Sequence, residues 1–187
     1  MKFEGIKKVN EGKFINRYDI TYKTVDNQTK VYEIISRDKD MHTIQDLHSK
    51  RTDGVVIIAT DEADERILIN KEYRMSVGEF VYNFPAGLID PGETPEVAAA
   101  RELKEETGLD LVSIDDRLFD SYSAIGFSNE TNVVIIGKAK GEFCESTSTL
   151  EEISAGWYTR QEVRNLLKDN HFAARTQAYC YMWSKER

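Results

Sequence analysis

The sequence predicts an α+β fold in which a mixed sheet is covered by helices and preceded by a small N-terminal β unit. Three observations carry this prediction. Residues 13–37 hold a period-two segment and a β-rich segment on either side of a polar break; residues 54–84 hold three short apolar runs separated by turn signals; and residues 95–107 form a capped helix.

In the first segment Phe14, Tyr18, Ile20 and Tyr22 fall on alternate positions, Asp26-Asn27-Gln28 interrupts them, and β-rich Val31 to Ile35 follows, which reads as a hairpin. The polar stretch Asp38 to Asp53 ends in the turn signal Asp53-Gly54, so a boundary is placed there, with residues 1–53 as the β-rich unit and residues 54–187 as the larger domain. Strands are expected at 55–60, 66–73, 79–84, 117–123, 132–139 and 153–158, and two C-terminal helices at 160–169 and 173–184. The helix at 95–107 has its ends written locally. Thr94 is an N-cap, Pro95 suits the first helical position, Glu96 complements the positive helix end, and Gly108 supplies a left-handed stop. Val97, Ala100 and Leu103 recur at a spacing of three and are read as its apolar stripe.

With 25 Lys plus Arg against 33 Asp plus Glu among 187 residues, the net charge is −8, the wrong sign for general attraction to nucleic acid or an anionic membrane. Neither is expected as a partner, and an anionic ligand needs local cations or a metal ion. The longest aliphatic run, Val55 to Ala59, is far short of the roughly 20 residues that span a bilayer, and Met1-Lys2-Phe3-Glu4 starts no signal-peptide pattern, so a cytoplasmic location is expected. Cys144 and Cys180 are too few for a disulfide scaffold and are read as reduced structural residues. His42, His48 and His171 show no ligand spacing and are read as surface or packing residues.

The chemistry concentrates on the helix. Glu102, Glu105 and Glu106 fall within about 100° of arc, although like charges at this spacing destabilise an isolated helix. Such a cluster is either a solvated acidic face or a set of oxygen ligands for a hard divalent cation, Mg²⁺ or Mn²⁺. Arg101 can reach Glu105 one turn on.

The spacing decides between these alternatives. Gly87, five residues, Glu93, seven residues, Arg101-Glu102, aliphatic Leu103, one residue, Glu105-Glu106, one residue, Gly108 and aliphatic Leu109 match the Nudix box position by position. A chance match has odds on the order of one in ten million at ordinary residue usages. The chain resembles the Nudix hydrolases, and Glu72-Tyr73-Arg74, Phe84-Pro85-Ala86-Gly87 and Gly92-Glu93 are similar to the ADP-ribose pyrophosphatase branch; the likeness runs over residues 30–187, while residues 1–29 share only a β-rich character.

That resemblance implies a Nudix-type α/β/α sandwich and hydrolysis of a diphosphate linkage by metal-activated water attacking phosphorus. It implies Glu102 and Glu106 as metal ligands together with the Ala86 carbonyl, Glu105 as a further ligand or outer base, Glu93 in the supporting network, and Arg101 as the ion-pairing residue that holds the acids. A loop general base is expected among Glu145, Glu151 and Glu152, with Glu151 aligning best by its distance to the strand that follows. Arg37 and Arg74 occupy positions resembling phosphate- or ribose-binding ones, and the resemblance together with the small hairpin unit implies a homodimer. Ile125 stands where the ADP-ribose branch carries a proline, which weakens ADP-ribose relative to other nucleoside diphosphate sugars. A non-sugar substrate, such as a dinucleoside polyphosphate or a coenzyme, and a non-catalytic nucleotide-sugar-binding module remain as alternatives.

Overall fold

Asn27 takes a left-handed conformation (φ 61°) in the turn that joins strands β2 (Asn16–Lys23) and β3 (Thr29–Ser36), so the polar break between the two runs becomes an antiparallel hairpin. The computed structural model describes residues 1–48, 51–144, 146 and 152–186. Tyr18 and Ile20 of β2 are buried with Ile34 and Met41, and the Tyr18 hydroxyl donates to the Asp38 carbonyl at 2.8 Å. Phe14, expected on the strand, lies ahead of it and is exposed. Strand β1 (Lys2–Glu11), which no expectation covered, pairs antiparallel with β2, and register shifts at Phe3/Gly5 and Lys8/Asn10 break the alternation that would have revealed it. This unit comprises Met1–Asp53 together with Asp120–Asn132; Asp53 accepts the Thr131 backbone N–H at 2.9 Å.

The second unit, Gly54–Phe119 with Val133–Arg187, contains β4 (Gly54–Thr60), β5 (Arg66–Arg74), β6 (Glu79–Asn83), β7 (Ala86–Leu88), β8 (Asp110–Arg117), most of β10 (Thr131–Lys140) and β11 (Ile153–Thr159). The sheet is mixed and runs in the order β11-β5-β4-β10-β8, with β6 added to β5 and β7 to β4; the two-residue β9 (Ser121–Tyr122) pairs with the first residues of β10. Helix α1 (Pro95–Thr107) covers one face, and α2 (Arg160–Asp169) and α3 (Ala174–Trp183) cover the other. The continuous apolar run of β4 follows from this layering. Val55, Ile57 and Ala59 pack under α1, and Val56 and Ile58 pack under α2 and α3, so neither face of the strand needs a polar residue.

The helix ends are as the local chemistry requires: the Thr94 hydroxyl accepts from Val97 N–H, and Gly108 is left-handed at φ 81°. Its buried face is not. Val97 and Ala100 are exposed, whereas Ala98, Ala99, Leu103, Glu106 and Thr107 are buried, so the stripe lies to one side of the expected one. Leu103, fully buried, belongs to both stripes and anchors the helix to the sheet, a burial worth about 1.5–3 kcal/mol. Within the strand expected at 117–123 lies the two-residue β9, while β8 occupies 110–117 as an edge strand with Val112 and Ile114 exposed. Cys180 is buried, whereas Cys144 is exposed rather than structural. Among the described residues no helix is long and apolar enough to cross a membrane.

Candidate functional site

Helix α1 presents its acids toward the turn formed by Phe84-Pro85 and β7, where the Pro85 carbonyl accepts the Ile57 N–H at 2.8 Å and Ala86 pairs with Val56. This turn is braced from below. Phe84 N–H donates to the Thr176 hydroxyl, Thr176 donates to Asn83 Oδ1 at 2.8 Å, and Asn83 Nδ2 donates to Glu72 Oε1 at 3.0 Å, a buried chain joining α3, β6 and β5.

Arg101 organises the acids. Its Nε and Nη2 donate to the two oxygens of Glu93 at 2.9 and 2.8 Å, its Nη1 to Glu102 Oε1 at 2.7 Å, and its Nη2 also to the Leu88 carbonyl at 2.9 Å; Glu105 lies 3.5 Å from Nη1. The fork geometry of a guanidinium suits this, whereas an ammonium would lose the paired contact. Facing carboxylates push the Arg101 pKa up, chiefly through Glu93. Glu106 is almost fully buried and accepts from Asn70 Nδ2 of β5 at 2.8 Å. The structure therefore gathers Glu93, Glu102 and Glu105 around one guanidinium, that of Arg101, and holds Glu106 against Asn70 of β5.

Arg101 and the Asp90 N–H together lower the Glu93 pKa from 4.5 to about 2. A carboxylate whose pKa is lower in the folded state stabilises the protein above its unfolded value, and that contribution disappears as pH falls from 4.5 through about 2. Glu93→Gln is expected to flatten the acid side of the stability–pH curve over this window, as read from urea unfolding at a series of pH values. Identical acid limbs in the two proteins would contradict the role given to this pair.

Among the described residues no three His, Cys, Asp or Glu side chains form a metal-holding cluster, and Arg101 stands between Glu93 and the acids at 102 and 105. The fit to a cation is tested by the turn. A Cβ on Gly87 would lie 1.9 Å from Glu102 Cδ and 2.2 Å from its Oε1, so the carboxylate occupies the space that a side chain would fill and rests on the backbone next to Ala86. Carboxylates and a carbonyl are the oxygen donors that Mg²⁺ and Mn²⁺ take.

The remaining expected residues are more dispersed. Arg74 follows Glu72 on β5, with its Nε 3.9 Å from Glu72 Oε1. Arg37 belongs to the N-terminal unit and is paired with Glu130 at 2.8 Å. Glu145 and Glu151 lie outside the described residues; Glu152 is exposed, and its carbonyl accepts the Tyr73 N–H at 2.9 Å. His171 pairs with Glu79 at the surface, and His42 and His48 are exposed. Ile125 is exposed in the turn where the Ala124 carbonyl accepts from Phe127 and Ser128. Asn70 was not anticipated. Its signal was present: a single amide directly after Ile67-Leu68-Ile69, where an uncompensated polar group is costly.

The family model of the NUDIX domain matches residues 50–180. The chain is 32% identical over 103 residues to ADP-sugar pyrophosphatase of Mus musculus, covering 54% of this chain and 44% of that protein. It is 37% identical over 108 residues to ADP-ribose pyrophosphatase of Mycobacterium tuberculosis (56% and 51% covered), and 31% identical over 137 residues to ADP-ribose pyrophosphatase of Saccharomyces cerevisiae (70% and 54%). The matched region spans about half the length of these relatives. A crystal structure of an ADP compounds hydrolase shares the fold, with a TM-score of 0.72 at 19% identity, over 98% of this chain and 92% of that one.

Proposed function

Because the chain belongs to the NUDIX domain family, we propose that it hydrolyses the diphosphate linkage of ADP-ribose or a related nucleoside diphosphate sugar, with Mg²⁺ or Mn²⁺ as cofactor. The observation that carries this reading is the Arg101-centred carboxylate network of α1, with Glu102 seated against Gly87. The names of the mouse, mycobacterial and yeast relatives support the ADP-sugar class.

In this reading Glu102, Glu106 and the Ala86 carbonyl would hold the cation, with Glu105 as a further ligand or outer base. A divalent cation there supplies a Lewis acid that offsets diphosphate charge and makes water more acidic. The protein's own residues do the rest. Glu93 fixes Arg101, and Arg101 sets the rotamers of Glu102 and Glu105. Arg74 and Arg37 are assigned to phosphate or ribose. Glu151 is assigned to take a proton from the attacking water, with Glu105, Glu145 and Glu152 as the other acids able to do so. The net charge of −8 repels a diphosphate at long range, which is why cationic groups at the site are required.

Ile125, standing where the ADP-ribose branch has a proline, weakens ADP-ribose relative to other nucleoside diphosphate sugars, and a non-sugar nucleoside diphosphate derivative, such as a dinucleoside polyphosphate or a coenzyme, is the alternative reading. A panel of nucleoside diphosphate sugars, dinucleoside polyphosphates and coenzymes, assayed with Mg²⁺ and with Mn²⁺ for phosphate monoesters, separates the two. The first reading expects AMP and ribose 5-phosphate from ADP-ribose. No product from any member, despite measurable binding, would make the chain a non-catalytic nucleotide-binding module. The reading also includes a homodimer, for which light scattering at micromolar concentration should return twice the 21.5 kDa chain mass; a monomer contradicts it.

A further inference from the structure

We infer that Asn70 is a positioning residue that fixes the Glu106 carboxylate for cation binding, an inference that rests on the hydrolase reading above. Asn70 lies in the middle of β5 with strands on both sides: its register partners are Asn83 of β6 and Ala155 of β11. The backbone there is held by two ladders, and the side chain is 0% exposed. It reaches Glu106 Oε2 at 2.8 Å, across 36 residues of sequence.

Two features separate this contact from ordinary core packing. The amide is only half satisfied, since Asn70 Oδ1 is buried without a hydrogen-bond partner. A strand designed only for stability would carry an aliphatic residue here, as it does at Ile67, Leu68 and Ile69, because a buried orphan acceptor is a net cost. The gain that keeps the amide lies at its other end. Its donor assignment follows from chemistry, since the oxygen turned toward a carboxylate would set acceptor against acceptor.

The second feature is charge. Arg101 serves Glu93 and Glu102 with a cation, which balances their charge while orienting them. Asn70 orients Glu106 with a neutral donor. It fixes one oxygen of a flexible three-torsion side chain without itself bringing a positive charge against it. Neighbours of this kind, which hydrogen-bond a ligating carboxylate, typically control metal affinity or activity by about 10- to 100-fold.

The test is Mn²⁺ affinity of the purified full chain without substrate, measured by electron paramagnetic resonance, alongside the thermal midpoint of the metal-free protein. Asn70→Leu keeps the approximate volume and removes the donor; the expected result is an Mn²⁺ dissociation constant raised about 10- to 100-fold. Ile67→Ala, on the same strand but facing α2 and α3, is the control: it lowers the thermal midpoint and leaves Mn²⁺ affinity within a few-fold of the unaltered protein. Should the leucine variant fail to fold, Asn70→Ser carries the same expectation, because its hydroxyl is one bond too short to replace the amide. Unchanged Mn²⁺ affinity in a folded Asn70 variant, or a loss matched by Ile67→Ala, overturns the inference. Absence of Mn²⁺ binding by the unaltered protein overturns the hydrolase reading, and this inference with it.

Discussion

Replacing Glu106 by glutamine is expected to lower turnover by about two to three orders of magnitude, the scale of the several kcal/mol that a charged metal ligand contributes to a phosphoryl transition state. The fold should survive. Glutamine has nearly the same shape, its amide oxygen can still accept from Asn70 Nδ2, and the packing of Leu103 and Ala99 that seats α1 is untouched. The chemistry suffers because the neutral side chain takes away the charge that draws a divalent cation against the −8 background of the chain. Steady-state hydrolysis and thermal unfolding of the two proteins check this together. Turnover within a few-fold of the unaltered protein would remove Glu106 from the ligand set.

Gly87→Ala is the second change with a large expected effect, and it acts without altering any charged residue. The added methyl would sit 1.9 Å from Glu102 Cδ, a distance that no real contact tolerates, so something must move. What moves is the carboxylate end of a flexible side chain rather than backbone, so the folding cost is small. The displaced Glu102 leaves its place beside Ala86 and strains its 2.7 Å bond to Arg101. We expect a fall in turnover of about 10- to 100-fold, comparable to losing an orienting partner, with a thermal midpoint close to that of the unaltered protein. A variant with full activity would show that the seat of Glu102 against the turn has no functional meaning.

The parts of the site that the sequence makes legible are those whose chemistry is local. Thr94, Pro95 and Gly108 bound α1 because capping and left-handed termination depend on a few neighbouring residues, and the structure has the helix at Pro95–Thr107. The Arg101–Glu105 contact is likewise a one-turn relation. The buried face of α1 differs from the expected stripe because helical spacings of three and four admit Val97-Ala100-Leu103 as readily as Ala99-Leu103-Glu106, and only the sheet beneath selects the second. Strand β8 escaped for a related reason: an edge strand exposing Val112 and Ile114 does not announce itself by burial. The pairing of Glu106 with Asn70 joins a helix to a strand 36 residues earlier, and no local rule reaches that far. Arg37 is a like case, since its partner Glu130 lies 93 residues on, beyond the boundary expected at residues 53 and 54.

The central claim is that the acids of α1 and the adjoining turn grip a divalent cation beside a bridging diphosphate. Crystals of the protein soaked with Mn²⁺ and a non-hydrolysable nucleoside diphosphate sugar, with data collected at the manganese edge, test it directly. The account predicts an anomalous peak within coordination distance of Glu102 and Glu106 and adjacent to the diphosphate. A peak held by other residues, with Glu102 still on Arg101 and Glu106 still on Asn70, would contradict it.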